Sequence, residues 1–455
     1  MNKNVYVQTY GCQMNFRDSE EVVGLLLDRG YTLTEEDTQA DVILVNTCSV
    51  REHAEDKVWS LLGVLRKLKA RNPELVIGVM GCMAKSQRGT IFQRAPYVDF
   101  ISGPSQLYEV PDLLEAVYKK RGVSGAGEGS CDSAASMKPL MAIQQKKRAE
   151  FKTVSYHSNP VSAFVTIMEG CDKVCSYCII PYTRGPEVSR PAEQIVEEVR
   201  KLASEGYKEV MLLGQNVNSY GTRFGDDPLG KPKEERKVTF AQLLEQVNAI
   251  PGLERIRFIT SHPWDAVEEM FGAMGSLEKV CEHIHLPVQA GSNGVLERMR
   301  RGYTADDYLQ KLARLRIRVP GVAVTTDIIV GFPGETDADF EETVKLMEKA
   351  RFDSAFMFNY SPRPFAAASK WADDVPIEVK DARLQRIIAL QEKISREEGE
   401  RRIGETVEVL VEEPGMGRAR TNRKVYFPAD GEKAGEIVSV TVESVRGVSF
   451  VGTKV

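Results

Sequence analysis

The sequence predicts an α/β protein in three parts. These are an amino-terminal open parallel α/β sheet, a central partial (β/α)6 barrel and a small all-β, OB-like barrel at the C-terminus. Three observations predict it. Strand-like and helix-like runs alternate over the first 120 residues. The alternation resumes from about residue 156 as six strand and helix pairs. After a last helix the texture changes to short alternating strands with glycine turns. A chain of 455 residues is too long for one ordinary domain. The expected boundaries are 1–120, a linker or insertion at 121–155, 156–390 and 391–455.

In the first part VYVQTY, DVILVNT and ELVIGVM are apolar, β-branched runs of buried-strand length. Between the first two lies DSEEVVGLLLDRG, with apolar Val22, Val23, Leu25, Leu26 and Leu27 and a stop at Gly30. This βαβ pattern implies a parallel sheet covered by helices. The stretch 121–155 breaks it: RGVSGAGEGSCDSAAS is small and polar, and QQKKRAE is charged. In the central part the strands are VSAFVTIM, EVMLLG, RIRFIT, HIHLPV, AVTTDIIVGF and SAFMFNY, with helices such as AEQIVEEVRKLASEG and DADFEETVKLMEKARF between them. Right-handed crossovers would curl them into a partial barrel, with a site at the C-terminal strand ends. A helix around 380–402 then leads into ETVEVLVEE, GRARTNRKVYFP and EIVSVTVESVRGVSFVGTKV, which fit a small barrel.

Composition narrows the function classes. The net charge of −5 does not announce a nucleic-acid binder, so any basic surface must be local. No run of about 18 apolar residues is present, so no membrane span and no membrane partner are expected. The start MNKNVYVQTYGC reads as a strand rather than a signal peptide, which implies a cytoplasmic protein. Eight cysteines in a reducing compartment point to metal or redox chemistry before disulfides.

The cysteines fall into two sets. GCDKVCSYC places Cys171, Cys175 and Cys178 in a C-x3-C-x2-C array directly after a strand. Three thiolates on a 4Fe–4S cluster leave one iron open, and an open iron can take the amino and carboxylate groups of S-adenosylmethionine. An electron from such a cluster can cleave the sulfonium to a 5′-deoxyadenosyl radical. The competing reading is a zinc knuckle, but zinc usually wants four ligands and no obvious fourth is nearby. Cys12, Cys48 and Cys82 follow three successive strands at near-equal spacing. Ligands gather outside the carboxyl ends of strands in an open parallel sheet, so these thiols would share one crevice and again leave one iron unligated. The competing reading is three small buried cysteines that merely pack. Gly11 and Gly81 would let the backbone turn close to a cluster.

Other candidates are weaker. Gly214, Gln215 and Asn216 end one strand, Gln289 and Ser292 another, and Asp327 and Gly331 a third; each could equally be a turn or a cap. Cys131 and Cys281 read as non-ligands. His262, His283 and His285 read as packed or hydrogen-bonded, although His262 could line the site. GMGRARTNRK carries Arg418, Arg420, Arg423 and Lys424, followed by Tyr426 and Phe427. Basic groups neutralise phosphates and aromatics stack on unpaired bases, but a solvated edge strand would look the same. Arg184 and Arg190 in TRGPEVSR could hold phosphate or order their loop.

The cysteine triplet in its strand-loop context resembles the radical-SAM superfamily over 156–360. TYGCQMN, VNTCSVREHAEDK and GCMA resemble the amino-terminal domain of its methylthiotransferase family. GCDKVCSYCIIPYTRGPEVSR, LLGQNVNSYG, FITSHP, HLPVQAGSN, MRRGYT and TDIIVGFPGETDADFEET resemble the core of that family, and the C-terminal strands resemble a TRAM RNA-binding domain. The resemblance spans nearly the whole chain apart from 121–155. NTCSVRE and PYTRG are closer to the tRNA-modifying branch than to the branch that modifies a ribosomal-protein aspartate.

The resemblance implies two 4Fe–4S clusters, on Cys171, Cys175 and Cys178 and on Cys12, Cys48 and Cys82. It implies S-adenosylmethionine used twice, to methylate sulfur at the second cluster and to make the hydrogen-abstracting radical at the first. The product would be the 2-methylthio derivative of N6-isopentenyladenosine at position 37 of the tRNA anticodon loop. Such a route suits a C–H bond too weakly acidic for a side-chain base. The backbone at Tyr177 would face the adenine, and Gly214, Gln215 and Asn216 would meet the amino group. Gln289, Ser292 and Asp327 join the cofactor-binding set, with Arg418, Arg420, Arg423 and Lys424 on RNA. A flavodoxin- or ferredoxin-like donor and a monomeric state are expected. The other enzyme reading is aspartate methylthiolation; a non-catalytic iron–sulfur RNA-binding protein is the alternative outside enzymes. One departure stands out: after Arg363 and Pro364 the family commonly has Gly-Thr, whereas this chain has Phe365 and Ala366.

Overall fold

The structure is a computed structural model that describes residues 3–49, 52–122, 140–144, 151, 155–222 and 238–455. Cys131 and most of the 121–155 linker lie outside the described residues. The chain divides into two compact units. One is Met1–Ser158 with Ile179–Pro186 and Arg363–Phe365; the other is Asn159–Cys178 with Glu187–Pro362 and Ala366–Val455.

The first unit is a parallel sheet of β1 (Asn4–Tyr10), β2 (Thr32–Leu33), β3 (Val42–Thr47), β4 (Val76–Gly81), β5 (Phe100–Ser102) and β6 (Leu140–Ala142), in the order β2-β1-β3-β4-β5-β6. Its helices are α1 (Gln13–Leu27), α2 (Glu52–Arg71), α3 (Cys82–Ser86), α4 (Arg88–Arg94) and α5 (Val110–Lys120), joined by α6 (Ile180–Thr183). Every residue of β3 and β4 is buried, as expected of parallel strands covered on both faces. Ile43, Val45, Ile77 and Val79 face one apolar cluster, and Val42, Leu44, Val76 and Met80 face the other. The β6 strand corrects the linker reading in part. Its short apolar run LMA is too brief to signal a strand alone, yet it pairs with β5 from Phe100 to Ser102.

In the second unit β7 (Ser162–Thr166), β10 (Glu209–Leu213) and β11 (Arg255–Phe258) pair in parallel, as do β12 (His283–His285), β13 (Ala323–Val330) and β14 (Ser354–Asn359). A parallel bridge between Ile256 and Val280 links the two halves, so all six expected strands are present. The short pair β8 (Met168–Glu169) and β9 (Val188–Ser189) brackets the cysteine triplet in sequence. Helices α7 (Ala192–Ser204), α8 (Phe240–Asn248), α9 (Glu268–Ser276), α10 (Asn293–Arg298), α11 (Ala305–Arg318) and α12 (Asp337–Ala350) cover the strands. Thr239, Thr304 and Thr336 open α8, α11 and α12 with reciprocal capping boxes.

Helix α13 (Ile377–Glu400) leads to a closed barrel of β15 (Thr406–Glu413), β16 (Met416–Ala419), β17 (Lys424–Tyr426), β18 (Ile437–Arg446) and β19 (Ser449–Lys454). Closure leaves no sheet edge open. The small barrel docks on the N-terminal ends of the partial-barrel strands. Arg255 donates to the Glu408 carboxylate at 2.8 Å and to the Arg418 carbonyl at 2.6 Å. Arg257 donates to the carbonyls of Ala419 and Arg420, each at 2.8 Å.

Candidate functional site

Parallel register builds the amino-terminal cysteine site. Tyr10 stands opposite Thr47, and Thr47 opposite Gly81. At the C-terminal edge of the sheet Cys48 and Cys82 therefore leave adjacent strands at the same rank, and Cys12 follows one residue further along on the neighbouring strand. Cys48 and Cys82 are buried and Cys12 is partly exposed. Hydrogen bonding from the Cys48 thiol pulls Cys12 below the ordinary thiol range, whereas burial raises Cys82. Two glycines make the close approach possible. Gly11 has φ +138, and a Cβ there would lie 2.7 Å from Cys48 Cβ; Gly81 has φ +90, and a Cβ there would lie 2.2 Å from Asn46 Oδ1. Asn15 and Asn46 frame the site. The Cys12 thiol donates to Asn15 Oδ1 at 3.2 Å, and Asn15 Nδ2 donates to Asn46 Oδ1 at 3.1 Å.

Sequence reasoning missed a buried ion pair beside these thiols. Arg184 donates to both carboxylate oxygens of Asp18. Its charge acts on both Cys12 and Cys82. Arg190 is also internal, bonded to the Glu198 carboxylate and the Gln194 carbonyl. Both arginines of TRGPEVSR thus order protein.

The second set forms the loop after β7 and β8. Cys178 N donates to the Cys175 carbonyl at 3.1 Å, closing a turn over Ser176 and Tyr177. Burial raises the Cys171 thiol to about 12. Gly170 N donates to Gln215 Oε1 at 2.5 Å, so the residue after β10 tethers the loop. Gly214 is required by packing, since a Cβ there would lie 2.4 Å from Met168 Cγ. Asn216 Nδ2 donates to Asp265 Oδ2 at 2.7 Å, while among the described residues buried Asn216 Oδ1 has no hydrogen-bond partner. Asp265 also pairs with Lys173 inside the loop at 2.7 Å.

Further groups gather there. Arg301 Nη1 stands 3.4 Å from Cys175 Sγ and 3.1 Å from the Tyr177 hydroxyl. His262 Nε2 is 3.9 Å from Cys175 Sγ, and burial holds this histidine far below its ordinary range. Burial pushes Glu187 up to about 8; its carboxylate accepts from Ser219 at 2.7 Å. The motif MRRGYT was the available signal for Arg301 and Tyr303, but no spacing rule ties it to the triplet.

The remaining strand-end residues divide. Gln289 has φ +75 and bridges to Ile328. Ser292 is the N-cap of α10 and bonds the Asp339 carboxylate, so its hydroxyl serves the helix start. Asp327 lies 3.4 Å from His285 Nε2; His285 Nδ1 and His283 Nε2 lie 3.0 and 3.3 Å from Thr325 Oγ1. The histidines are thus hydrogen-bonded, and Cys281 is buried, with Arg257 and Glu209 acting on it.

The basic stretch of the small barrel is largely turned inward. Arg420 binds Glu282 and the carbonyls of Glu278 and Val280; Arg423 binds Asp353 at 3.0 Å; Arg418 binds Glu412 at 2.8 Å. Phe427 is core, whereas Lys424 and Tyr426 alternate outward on β17.

Among the described residues no group of three or more His, Cys, Asp or Glu side chains is gathered around one point to hold a metal ion. Cubane ligation is a different demand, because each thiolate takes its own iron. Each set offers three thiols as donor groups, which suits iron–sulfur binding. Among the described residues no helix is long and apolar enough to cross a membrane.

Comparison with known proteins matches residues 4–103 to the uncharacterized protein family UPF0004 and residues 165–347 to the radical SAM superfamily. A tRNA-2-methylthio-N(6)-dimethylallyladenosine synthase of Moorella thermoacetica is 46% identical, covering 96% of this chain and 95% of the relative. Enzymes of the same name from Clostridium botulinum and Carboxydothermus hydrogenoformans are each 44% identical, covering 99% and 97% of this chain and 96% of each relative. Among solved structures, the radical S-adenosylmethionine methyltransferase TsrM of Kitasatospora setae, with tryptophan and a SAM analog, shares the fold. It has a TM-score of 0.56 at 12% identity, over 81% of this chain and 75% of that one.

Proposed function

The chain belongs to the methylthiotransferase family of radical-SAM enzymes, and from that premise we propose that it 2-methylthiolates N6-isopentenyladenosine at position 37 of tRNA. The observation that carries this reading is that Cys12, Cys48 and Cys82 leave the C-terminal ends of three adjacent strands within one residue of the same rank, in a chain that also carries the loop of Cys171, Cys175 and Cys178. Each triad would hold a 4Fe–4S cluster with one open iron. When bound, the clusters and S-adenosylmethionine supply the adenosyl radical and a place for the sulfur to be transferred.

The chain's own residues do the positioning. Gln215 holds the Gly170 amide and so fixes the start of the cysteine loop. Asn216 Oδ1, buried and without a partner among the described residues, would accept from the amino group of S-adenosylmethionine. Arg301 and His262 flank Cys175 and keep positive charge and a neutral imidazole beside that thiolate. The backbone at Tyr177 would face the adenine, with Gln289 and Asp327 at further strand ends. Lys424 and Tyr426, outward on one strand, suit a phosphate and an unstacked base. A flavodoxin- or ferredoxin-like protein would donate electrons, and the cytoplasm would supply tRNA and reduced thiols.

Anaerobic reconstitution with iron, sulfide, dithionite, S-adenosylmethionine and unmodified tRNA tests the proposal. The expected result is 5′-deoxyadenosine together with a methylthio mass increment on the isopentenyl nucleoside. Absence of 5′-deoxyadenosine would reject the radical route, and 5′-deoxyadenosine with an unmodified nucleoside would reject the substrate.

A further inference from the structure

Lys85 lies one turn beyond Cys82 on α3, on the same face. Its Nζ is buried, and among the described residues no hydrogen-bond partner reaches it. The ring of Tyr182, stacked on Phe365 at 3.8 Å, has its centroid 5.7 Å from that nitrogen. An aromatic wall attracts the cation but accepts none of its three N–H groups in the ordinary way. Burial disfavours the charged form of Lys85, and a negative charge on Cys82 would favour it.

Among the described residues, two other cations of this region are committed. Arg184 is paired with Asp18, and Arg17 lies 3.9 Å from Glu20. Each such pair contributes no net charge. Three thiolates and a soft anionic ligand on an open iron would bring several negative charges into the same buried space. A buried ammonium without a partner is costly unless an anion comes to it.

We propose that Lys85 is the counter-charge of the cluster on Cys12, Cys48 and Cys82, and that its ammonium binds a sulfide- or thiolate-class anion taken by the iron those cysteines leave open. The inference rests on the cluster assignment above, and it adds a residue that no motif pointed to. Lys85 is a positioning residue here: it fixes the anion and tunes the cluster, since net charge and hydrogen bonds to sulfur set such potentials.

The test uses the full-length chain with Cys171→Ala, Cys175→Ala and Cys178→Ala, so that one cluster is observed. Into it go Lys85→Met, which keeps length and loses charge, and Lys85→Arg, which keeps charge. Iron and acid-labile sulfide are counted, the midpoint potential is read by EPR-monitored titration, and sodium methanethiolate is titrated against the cluster signal. Lys85→Met is expected to hold its cluster at a more negative potential and to bind methanethiolate about tenfold more weakly. Lys85→Arg should recover both values. Should Lys85→Met shed the cluster while Lys85→Arg keeps it near the parent potential, the counter-charge role stands. Unchanged potential and affinity in Lys85→Met would overturn it, as would equal cluster loss in both variants. A parent chain that itself holds no cluster would instead overturn the assignment beneath.

Discussion

Phe365 has φ +70, a conformation that costs an L side chain about 1–2 kcal/mol. Glycine, which the family resemblance implies at this position, takes that conformation freely. Here the ring stacks on Tyr182 with planes 10° apart, and such a pair contributes about 0.5–1.5 kcal/mol. The stacking therefore offsets the backbone strain. Phe365→Ala keeps the strain and loses the ring, so it should destabilise by about 1 kcal/mol. Phe365→Gly loses both and should unfold near the parent temperature. Thermal unfolding of the two variants checks the argument, and equal destabilisation would refute it. At this scale the six cysteines of the two sets were legible because each carries a local sign, a strand end or a tight spacing. Arg184 and Asp18 were not, since 166 residues separate the partners and neither sits in a pattern of its own. Lys85 was hidden for a related reason: burial of a lysine cannot be read from a short helix whose apolar face is undefined.

Elements were read more securely than their attachments. Six strands of the partial barrel and three of the amino-terminal sheet announced themselves as apolar runs bounded by turns, while β6 of three residues did not. The C-terminal barrel was legible from alternation and glycine turns, but what closes it is polar. Glu432 accepts from Gly415 N and Asp430 N, each at 2.8 Å, tying the turn after β15 to a later loop, and Lys454 lies 3.6 Å away. These backbone donors, led by Asp430, hold its carboxyl at about 2. The unfolded chain protonates near the ordinary glutamate value of about 4.3, so over this window it binds more protons than the folded barrel. The contribution of Glu432 is therefore complete above about pH 4.3 and is lost as pH falls toward 2. Glu432→Gln should flatten the pH dependence of barrel unfolding in that window. Near-UV circular dichroism melts from about pH 5 down to 2.5 would read it; an unchanged slope in the variant would refute the assignment.

For the whole molecule, a chain of net charge −5 must meet an anionic RNA through a few local cations. The basic run at 418–424 looked like one continuous patch in sequence. In the structure Arg418, Arg420 and Arg423 are held by Glu412, Glu282 and Asp353, the last two of which precede strands of the partial barrel. Residue spacing could not reveal this, because the carboxylates that claim them come mostly from far upstream. The two kinds of cation make opposite predictions. Removing a phosphate contact lowers the slope of log affinity against log salt by about 0.7–0.9. Removing a docking contact leaves that slope alone and costs about 1.5–3 kcal/mol of stability where charged hydrogen bonds are lost. Lys424→Ala should therefore flatten the salt dependence of tRNA binding with little change in unfolding temperature. Arg420→Ala should keep the slope and unfold earlier, with the small barrel melting apart from the rest. Filter binding across a salt series, beside calorimetry of both variants, decides between them. If Arg420→Ala flattens the slope as far as Lys424→Ala does, its guanidinium leaves Glu282 to meet RNA, and the docking role fails.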